Sequence, residues 1–160
     1  MIFAMFGTNP YQFTRLAEAL EKLAVETGEE IVVQCGNTKY PFVRCKATPF
    51  YPHEEVLRLI SKADCLIMQG GAGSISDGIR LRKPVVVVPR RPELGESPDR
   101  QEGLARKLEE MGCITAVFDV KDLKKKCHEA LTKETRKPPA NNIPKIIRGY
   151  LSSLEGLNDR

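Results

Sequence analysis

Residues 64–74 read Asp64-Cys65-Leu66-Ile67-Met68-Gln69-Gly70-Gly71-Ala72-Gly73-Ser74, and residues 83–91 read Lys83-Pro84-Val85-Val86-Val87-Val88-Pro89-Arg90-Arg91. In the first stretch an apolar run of strand length, residues 64–68, stops at a cluster of glycines. A short helical period follows over residues 74–81. The second stretch contains four consecutive valines. β-Branched residues without polar alternation fit a strand covered on both faces, as in a parallel sheet. Strand, glycine turn, helix and buried strand in succession predict a βαβ unit.

The same alternation extends in both directions. Upstream, residues 2–6 form a strand candidate that turns at Gly7-Thr8-Asn9-Pro10. Phe13, Leu16, Leu20, Leu23 and Ala24 then recur at helical spacing until Gly28. A strand over residues 31–35 closes at Gly36-Asn37, and a weaker one covers residues 44–50. Pro52 opens a helix carrying Val56, Leu57 and Ile60, since proline suits a first helical turn. Downstream, Leu104, Leu108 and Met111 mark a helix stopped by Gly112. A last strand covers residues 115–118 and a last compact helix residues 123–131. The fold class read from this pattern is α/β, a doubly wound and mostly parallel Rossmann-like sheet. Residues 1–132 form that domain. Residues 133–160 form a polar linker and an amphipathic helix, whose stripe is Ile143, Ile146, Ile147, Tyr150, Leu151 and Leu154.

A chain of 160 residues suits one domain, and its 41% hydrophobic and 29% charged content is that of an ordinary globular protein. No apolar run approaches the roughly 20 residues of a membrane span. Residues 1–6 lack a basic segment before the apolar run, so they read as a buried strand rather than a signal peptide, and a cytoplasmic location is expected. The five cysteines show no metal-ligand spacing and sit largely in apolar stretches, so they read as core residues and no metal site is expected. Between Lys121 and Arg148 there are nine basic and three acidic side chains, an excess of six, which leaves about −2 for the rest of a chain of net charge +4. Such an end suits an anionic membrane surface or an acidic partner, and equally a solvated helix face. Without interleaved aromatics it does not suit nucleic acid.

The glycine loop is where chemistry is expected. Glycines allow close backbone approach, and a helix start presents N–H groups to an anion. No Gly-Lys-Ser/Thr follows, which excludes a P-loop. Ser76 stands where a dinucleotide fingerprint has its third glycine, and the next strand ends in Pro89-Arg90-Arg91 rather than in a ribose-binding acid. An NADP enzyme using Arg90 and Arg91 on a 2′-phosphate stays open as a competing reading.

Taken together, the 69–75 loop, Lys83-Pro84 with the four valines and Pro89-Arg90, Gly95-Glu96, and Asp99-Arg100-Gln101 resemble the C-terminal, donor-binding half of inverting glycosyltransferases of the GT-B fold, the peptidoglycan GlcNAc transferase type. Gly7-Thr8, Phe13-Thr14-Arg15-Leu16 and Val33-Gln34-Cys35-Gly36 extend the likeness toward the stand-alone small subunits of split enzymes. Two such groups are the bacterial exopolysaccharide β-glycosyltransferase small subunit and the catalytic subunit of the two-subunit UDP-GlcNAc transferase. The resemblance covers about residues 1–120. The sequence departs from the family at Gln69, Ser97 and Arg100, each in place of a histidine, at Asp77 in place of a glutamate, and at Arg82 in place of the glycine of Gly-Lys-Pro.

The resemblance implies a donor site for a UDP-sugar as substrate, with no cofactor. Gly70, Gly71, Ala72, Gly73 and Ser74 would meet the diphosphate from the helix start, with Gly7 and Thr8 approaching from a neighbouring loop. Gln69 would donate a hydrogen bond to the donor phosphates. Asp77 would accept ribose hydroxyls, unless it is an ordinary first-turn acid. Gln101 and Asp99 would hold sugar hydroxyls, and Arg90 would pair with phosphate or cap the sheet end. His53 and His128 lie outside every motif and read as surface residues. No residue suits the catalytic base, which the resemblance assigns to a partner. That partner would be a membrane-associated acceptor subunit, holding the protein peripherally at the inner membrane face, or a second copy. The implied activity is sugar transfer to a lipid-linked acceptor in polysaccharide or oligosaccharide biosynthesis. The alternative is a non-catalytic nucleotide-binding or regulatory subunit that has lost the family histidines.

Overall fold

Six strands and five α-helices follow one another over residues 2–132: β1 (Ile2–Met5), α1 (Thr14–Thr27), β2 (Ile31–Gln34), β3 (Lys46–Thr48), α2 (His53–Lys62), β4 (Cys65–Gln69), α3 (Ala72–Arg80), β5 (Val85–Val88), α4 (Glu102–Glu110), β6 (Thr115–Ala116) and α5 (Leu123–Thr132). This computed structural model describes residues 1–133, 145, 148–150 and 152–153. The strands form one six-stranded sheet of order β3-β2-β1-β4-β5-β6, and every neighbouring pair is parallel. From β1 the chain winds outward to β3, then returns to place β4 against the free side of β1. The order reverses between these two strands, and in open α/β sheets ligands bind beyond the carboxyl ends of strands at such a switch point.

The central strands alternate their side chains between two apolar layers. Cys65 and Ile67 face α1 and α5, while Leu66 and Met68 face α2, α3 and α4. Val86 and Val88 join the first layer and Val85 and Val87 the second, which is why polar residues are missing from this strand. Helix α1 buries Leu16, Leu20 and Leu23 and stops at Gly28, whose φ of 68° is the left-handed turn that glycine adopts without strain. In α3, a Cβ on Gly78 would stand 2.8 Å from Val85 Cγ2 and 2.9 Å from Met68 Cε. The bare backbone there lets α3 lie close on the sheet and carries its amino end over the carboxyl edge.

The β2–β3 crossover has no helix. Instead the Glu21 carboxylate of α1 accepts hydrogen bonds from the backbone N–H groups of Arg44 (3.0 Å) and Cys45 (2.8 Å), which fixes this crossover against α1. Burial works to raise the Glu21 pKa, but these donors outweigh it and hold it below the ordinary carboxylate value. All five cysteines are buried and free. Burial, with Glu21 nearby, pushes the Cys45 thiol up to about 12, so it stays protonated.

Several boundaries differ from the sequence reading. Helix α3 begins at Ala72 rather than Ser74, since Gly71 is still extended (ψ 128°) and serves as the cap. Strand β6 is two residues long, and Pro52 precedes α2 rather than opening it. Of the C-terminal stripe, Tyr150 packs on the α2–α3–α4 layer, its hydroxyl 2.0 Å from where a Cβ on Gly103 would stand. Ile143, Ile146, Ile147, Leu151 and Leu154 lie outside the described residues, as does the linker over 134–144. Among the described residues no helix is long and apolar enough to cross a membrane.

Candidate functional site

The loops after β1, β2, β4 and β5 meet at the carboxyl edge of the sheet with almost no spare volume. Gly7 has φ 73°, and a Cβ on it would overlap the Gln69 amide at 1.8 Å from Nε2. Gly36 has φ 57°, and its Cβ would stand 2.4 Å from the Gly7 carbonyl oxygen. A Cβ on Gly70 would reach 2.5 Å from Gln101 Cβ. These glycines bring the strand ends into direct contact, so the side chains between them have one arrangement available.

Arg90 lies beneath these loops, 1% exposed. Its Nε–H donates to Gln69 Oε1 (2.5 Å), and its Nη groups donate to the carbonyl oxygens of Phe6 (2.9 Å), Tyr11 (3.0 Å), Gln12 (3.3 Å) and Glu96 (2.9 Å). Its guanidinium carbon sits 4.4 Å from the Phe13 ring centroid, a cation–π contact of about 2 kcal/mol when desolvated. A buried charge is tolerated only when hydrogen-bonded in this way. Burial lowers the Arg90 pKa to about 10, with Glu96 raising it and Arg15 lowering it further, so the group is charged at neutral pH. Glu96, also buried, accepts from Arg15 through Nε (2.9 Å) and Nη2 (2.8 Å) and from the Arg91 backbone N–H (2.9 Å). Two cations and one anion, Arg15, Arg90 and Glu96, therefore lie under these loops, a net positive floor.

Two glutamines stand on this floor with their carbonyl ends occupied. Gln69 presents Oε1 to Arg90, which places its –NH2 between the Gly7 and Gly71 backbones. Gln101 Oε1 accepts from the N–H groups of Gly70 (2.9 Å) and Arg90 (3.0 Å), tying the β4–α3 loop to the segment after β5. Among the described residues neither amide nitrogen has an acceptor. Gly71 caps α3 without a side-chain hydrogen bond, so the N–H groups of Ala72, Gly73 and Ser74 open toward the same edge. A Cβ on Gly73 would meet nothing within 4 Å.

The structure sorts the expected residues. Gly7, Gly70, Gly71, Ala72, Gly73, Ser74, Gln69 and Gln101 come together at the switch point. Thr8 is exposed beside them, and its carbonyl accepts from Asn37 Nδ2 (3.3 Å). Arg90 is turned into the sheet end with its donors spent on carbonyls, so direct pairing of its guanidinium with a ligand gives way to the capping role. Asp77 is in the second turn of α3, not the first, and pairs with Arg80 at 3.3 Å across a half-exposed surface. Asp99 is exposed, with a carboxylate that has no partner among the described residues. Ser97, where the family has histidine, is buried and accepts from the Asp99 N–H (3.1 Å). The NADP reading loses its basis, because Arg91 donates to the Phe118 carbonyl and pairs with Glu102 while Arg90 is buried. His53 and His128 are exposed.

Sequence reasoning missed Arg15, Glu96 and Phe13 as parts of the floor. All three stood in the quoted motifs, but only the fold shows that Arg15 and Glu96 pair. A groove of about 740 Å3 lies at the opposite edge, among Met1, Leu23, Cys65, Lys124, Cys127 and His128. Volume and chemistry thus point to different ends of the sheet. Chemistry decides, because the converging hydrogen-bond donors are at the carboxyl edge.

Residues 1–148 match the family model described as the glycosyltransferase family 28 C-terminal domain. The chain belongs to this family. Its similarity to the UDP-N-acetylglucosamine transferase subunit ALG13 of Debaryomyces hansenii is 30% identity over 105 residues, covering 66% of this chain and 47% of that protein. Among solved structures, the calicheamicin glycosyltransferase CalG4 superposes with a TM-score of 0.65 at 12% identity, covering 92% of this chain and 38% of that one. The glycotransferase of kitacinnamycin gives 0.64 at 16% identity, covering 93% and 40%. The chain therefore spans about half the length of this curated relative and about two fifths of these solved enzymes. At these identities the solved structures establish the GT-B fold of the domain.

Proposed function

We propose that this chain is the donor-binding, catalytic half of a two-part inverting glycosyltransferase, which transfers a sugar from a UDP-sugar to a lipid-linked acceptor. The observation that carries the reading is the convergence, at the β1/β4 switch point, of helix-start N–H groups and two oriented glutamine amides over a cationic floor. As the glycosidic bond breaks, charge develops on the diphosphate of the leaving group, and preorganised donors stabilise that charge. The N–H groups of Gly71, Ala72, Gly73 and Ser74 and the Gln69 amide would hold the diphosphate, with Gly7 and Thr8 closing over it. Asp77 would take the ribose hydroxyls, at the cost of its surface pair with Arg80. The Gln101 amide and the Asp99 carboxylate would take the sugar hydroxyls.

Inversion requires a base on the side of the sugar opposite the leaving group, and among the described residues neither exposed histidine bonds to the residues of these loops. The base and the acceptor pocket are therefore assigned to a partner, a membrane-associated subunit or a second copy, with this chain held at the cytoplasmic membrane face. The similarity to a transferase subunit supports that division of labour. Loss of three family histidines, at Gln69, Ser97 and Arg100, favours one competing reading, a nucleotide-binding subunit without activity. Calorimetric titration with UDP, followed by a transfer assay on the chain alone and with its partner, separates the two. UDP binding with transfer only in the complex is expected, and a working complex whose chain binds no UDP would defeat the proposal.

A further inference from the structure

Among the described residues, Gly7, Gln69 and the 70–74 loop at the centre of the proposed donor site include no cation, yet a diphosphate carries at least two negative charges. The nearest buried positive charge is the guanidinium of Arg90, whose Nη groups are committed to carbonyl oxygens of Phe6, Tyr11, Gln12 and Glu96. Its Nε–H is committed to Gln69 Oε1, a charge-assisted hydrogen bond. That bond fixes the amide assignment, because an –NH2 group cannot accept from Nε–H. The Gln69 nitrogen is thus held between Gly7 and Gly71, both of which lack a Cβ where one would press on it.

Resting on the donor-site reading above, we propose that Arg90 acts on the diphosphate through Gln69. The guanidinium orients and polarises the amide, and the Gln69 –NH2 delivers the hydrogen bond to a phosphate oxygen. Hydrogen bonds in a chain strengthen one another in a low-dielectric setting, so an amide whose oxygen faces a buried cation is a stronger donor than an isolated one. Arg90 is a positioning residue in this scheme, and Gln69 is the group that touches the ligand. Two features follow from the geometry. The charge is delivered without a side chain that must reorganise, and Arg15 paired to Glu96 leaves the Arg90 charge uncancelled. A neutral histidine offers the same relay, with one ring nitrogen accepting from Arg90 and the other donating outward.

The test compares UDP with uridine on the full-length chain, because a relay to phosphate affects only the first. Gln69→Glu keeps an acceptor for Arg90, removes the outward donor and turns an oxygen toward the diphosphate. It is expected to keep its Tm, to lose UDP affinity by about 100-fold or more, and to keep uridine affinity within about 3-fold. Gln69→His should keep UDP affinity within about 3-fold. Arg90→Lys, which loses the forked contacts, should weaken UDP by about 10-fold relative to uridine. If it does not fold, the two Gln69 variants decide the matter. UDP affinity unchanged in Gln69→Glu, or equal losses for UDP and uridine, would overturn the relay while leaving the donor site standing. A wild-type chain that binds no UDP would overturn both.

Discussion

Replacing Gly73 with aspartate separates binding from folding in one step. Gly73 is the second residue of α3, and a Cβ there meets nothing within 4 Å. Its φ is not positive, so a side chain brings no backbone strain. Removing a glycine from a helix gains up to about 1 kcal/mol, and a carboxylate in the first turn adds about 0.3–1 kcal/mol through the helix dipole. Stability should therefore hold or rise, by about 2–4 °C in Tm for each kcal/mol gained in a domain of this size. Binding should move the other way. A unit charge about 4 Å from one phosphate charge costs about 4 kcal/mol at an effective dielectric constant of 20, which is about a thousandfold in affinity. Gly73→Ala serves as the uncharged control and should lose about tenfold at most. Thermal unfolding and calorimetric UDP titration on the same samples give both quantities. A folded Gly73→Asp protein with wild-type UDP affinity would refute the placement of the diphosphate at α3.

Gly78→Val, five residues along the same helix, should do the opposite: its Cβ would press on Val85 and Met68, costing about 1–3 kcal/mol in unfolding while UDP affinity per folded molecule is kept. The Glu21 carboxylate, with a folded pKa below its unfolded value of 4.5, contributes stability that is full above pH 4.5 and lost as pH falls through the folded pKa. The Tm of Glu21→Ala should accordingly be lower than wild type at pH 7, with a gap that narrows below pH 4.5; a constant gap would contradict the capping of the β2–β3 crossover. Deleting residues 138–160 removes Tyr150 from Gly103 and should leave UDP affinity nearly intact while weakening assembly with the partner, as sedimentation would show.

The sheet was legible because its signals are local. Four valines in a row and the glycine stop after Gln69 are properties of adjacent residues, and they lead directly to a parallel βαβ unit. The boundaries of α3 were less so, since whether Gly71 is cap or helix depends on a ψ angle that glycine leaves open. The glycine loop over residues 69–75 stood out in the sequence, and its proposed part in donor binding came from the resemblance. The arrangement under it was not, for a physical reason. Arg90 is held by carbonyl oxygens of Phe6, Tyr11, Gln12 and Glu96, and every residue has a carbonyl, so no residue type announces the contact. Glu21 is the same case: its partners are the N–H groups of Arg44 and Cys45, on a crossover that the sequence marks only as a turn and a weak strand.

A nucleoside diphosphate lying between the ends of β1 and β4 is located directly by amide chemical-shift mapping during a UDP titration. Saturable shifts are predicted for the backbone N–H groups of Gly7 and residues 70–74 and for the side-chain –NH2 of Gln69 and Gln101. Shifts confined to the opposite groove, at Cys65, Lys124, Cys127 and His128, or no saturable shifts at all, would contradict it.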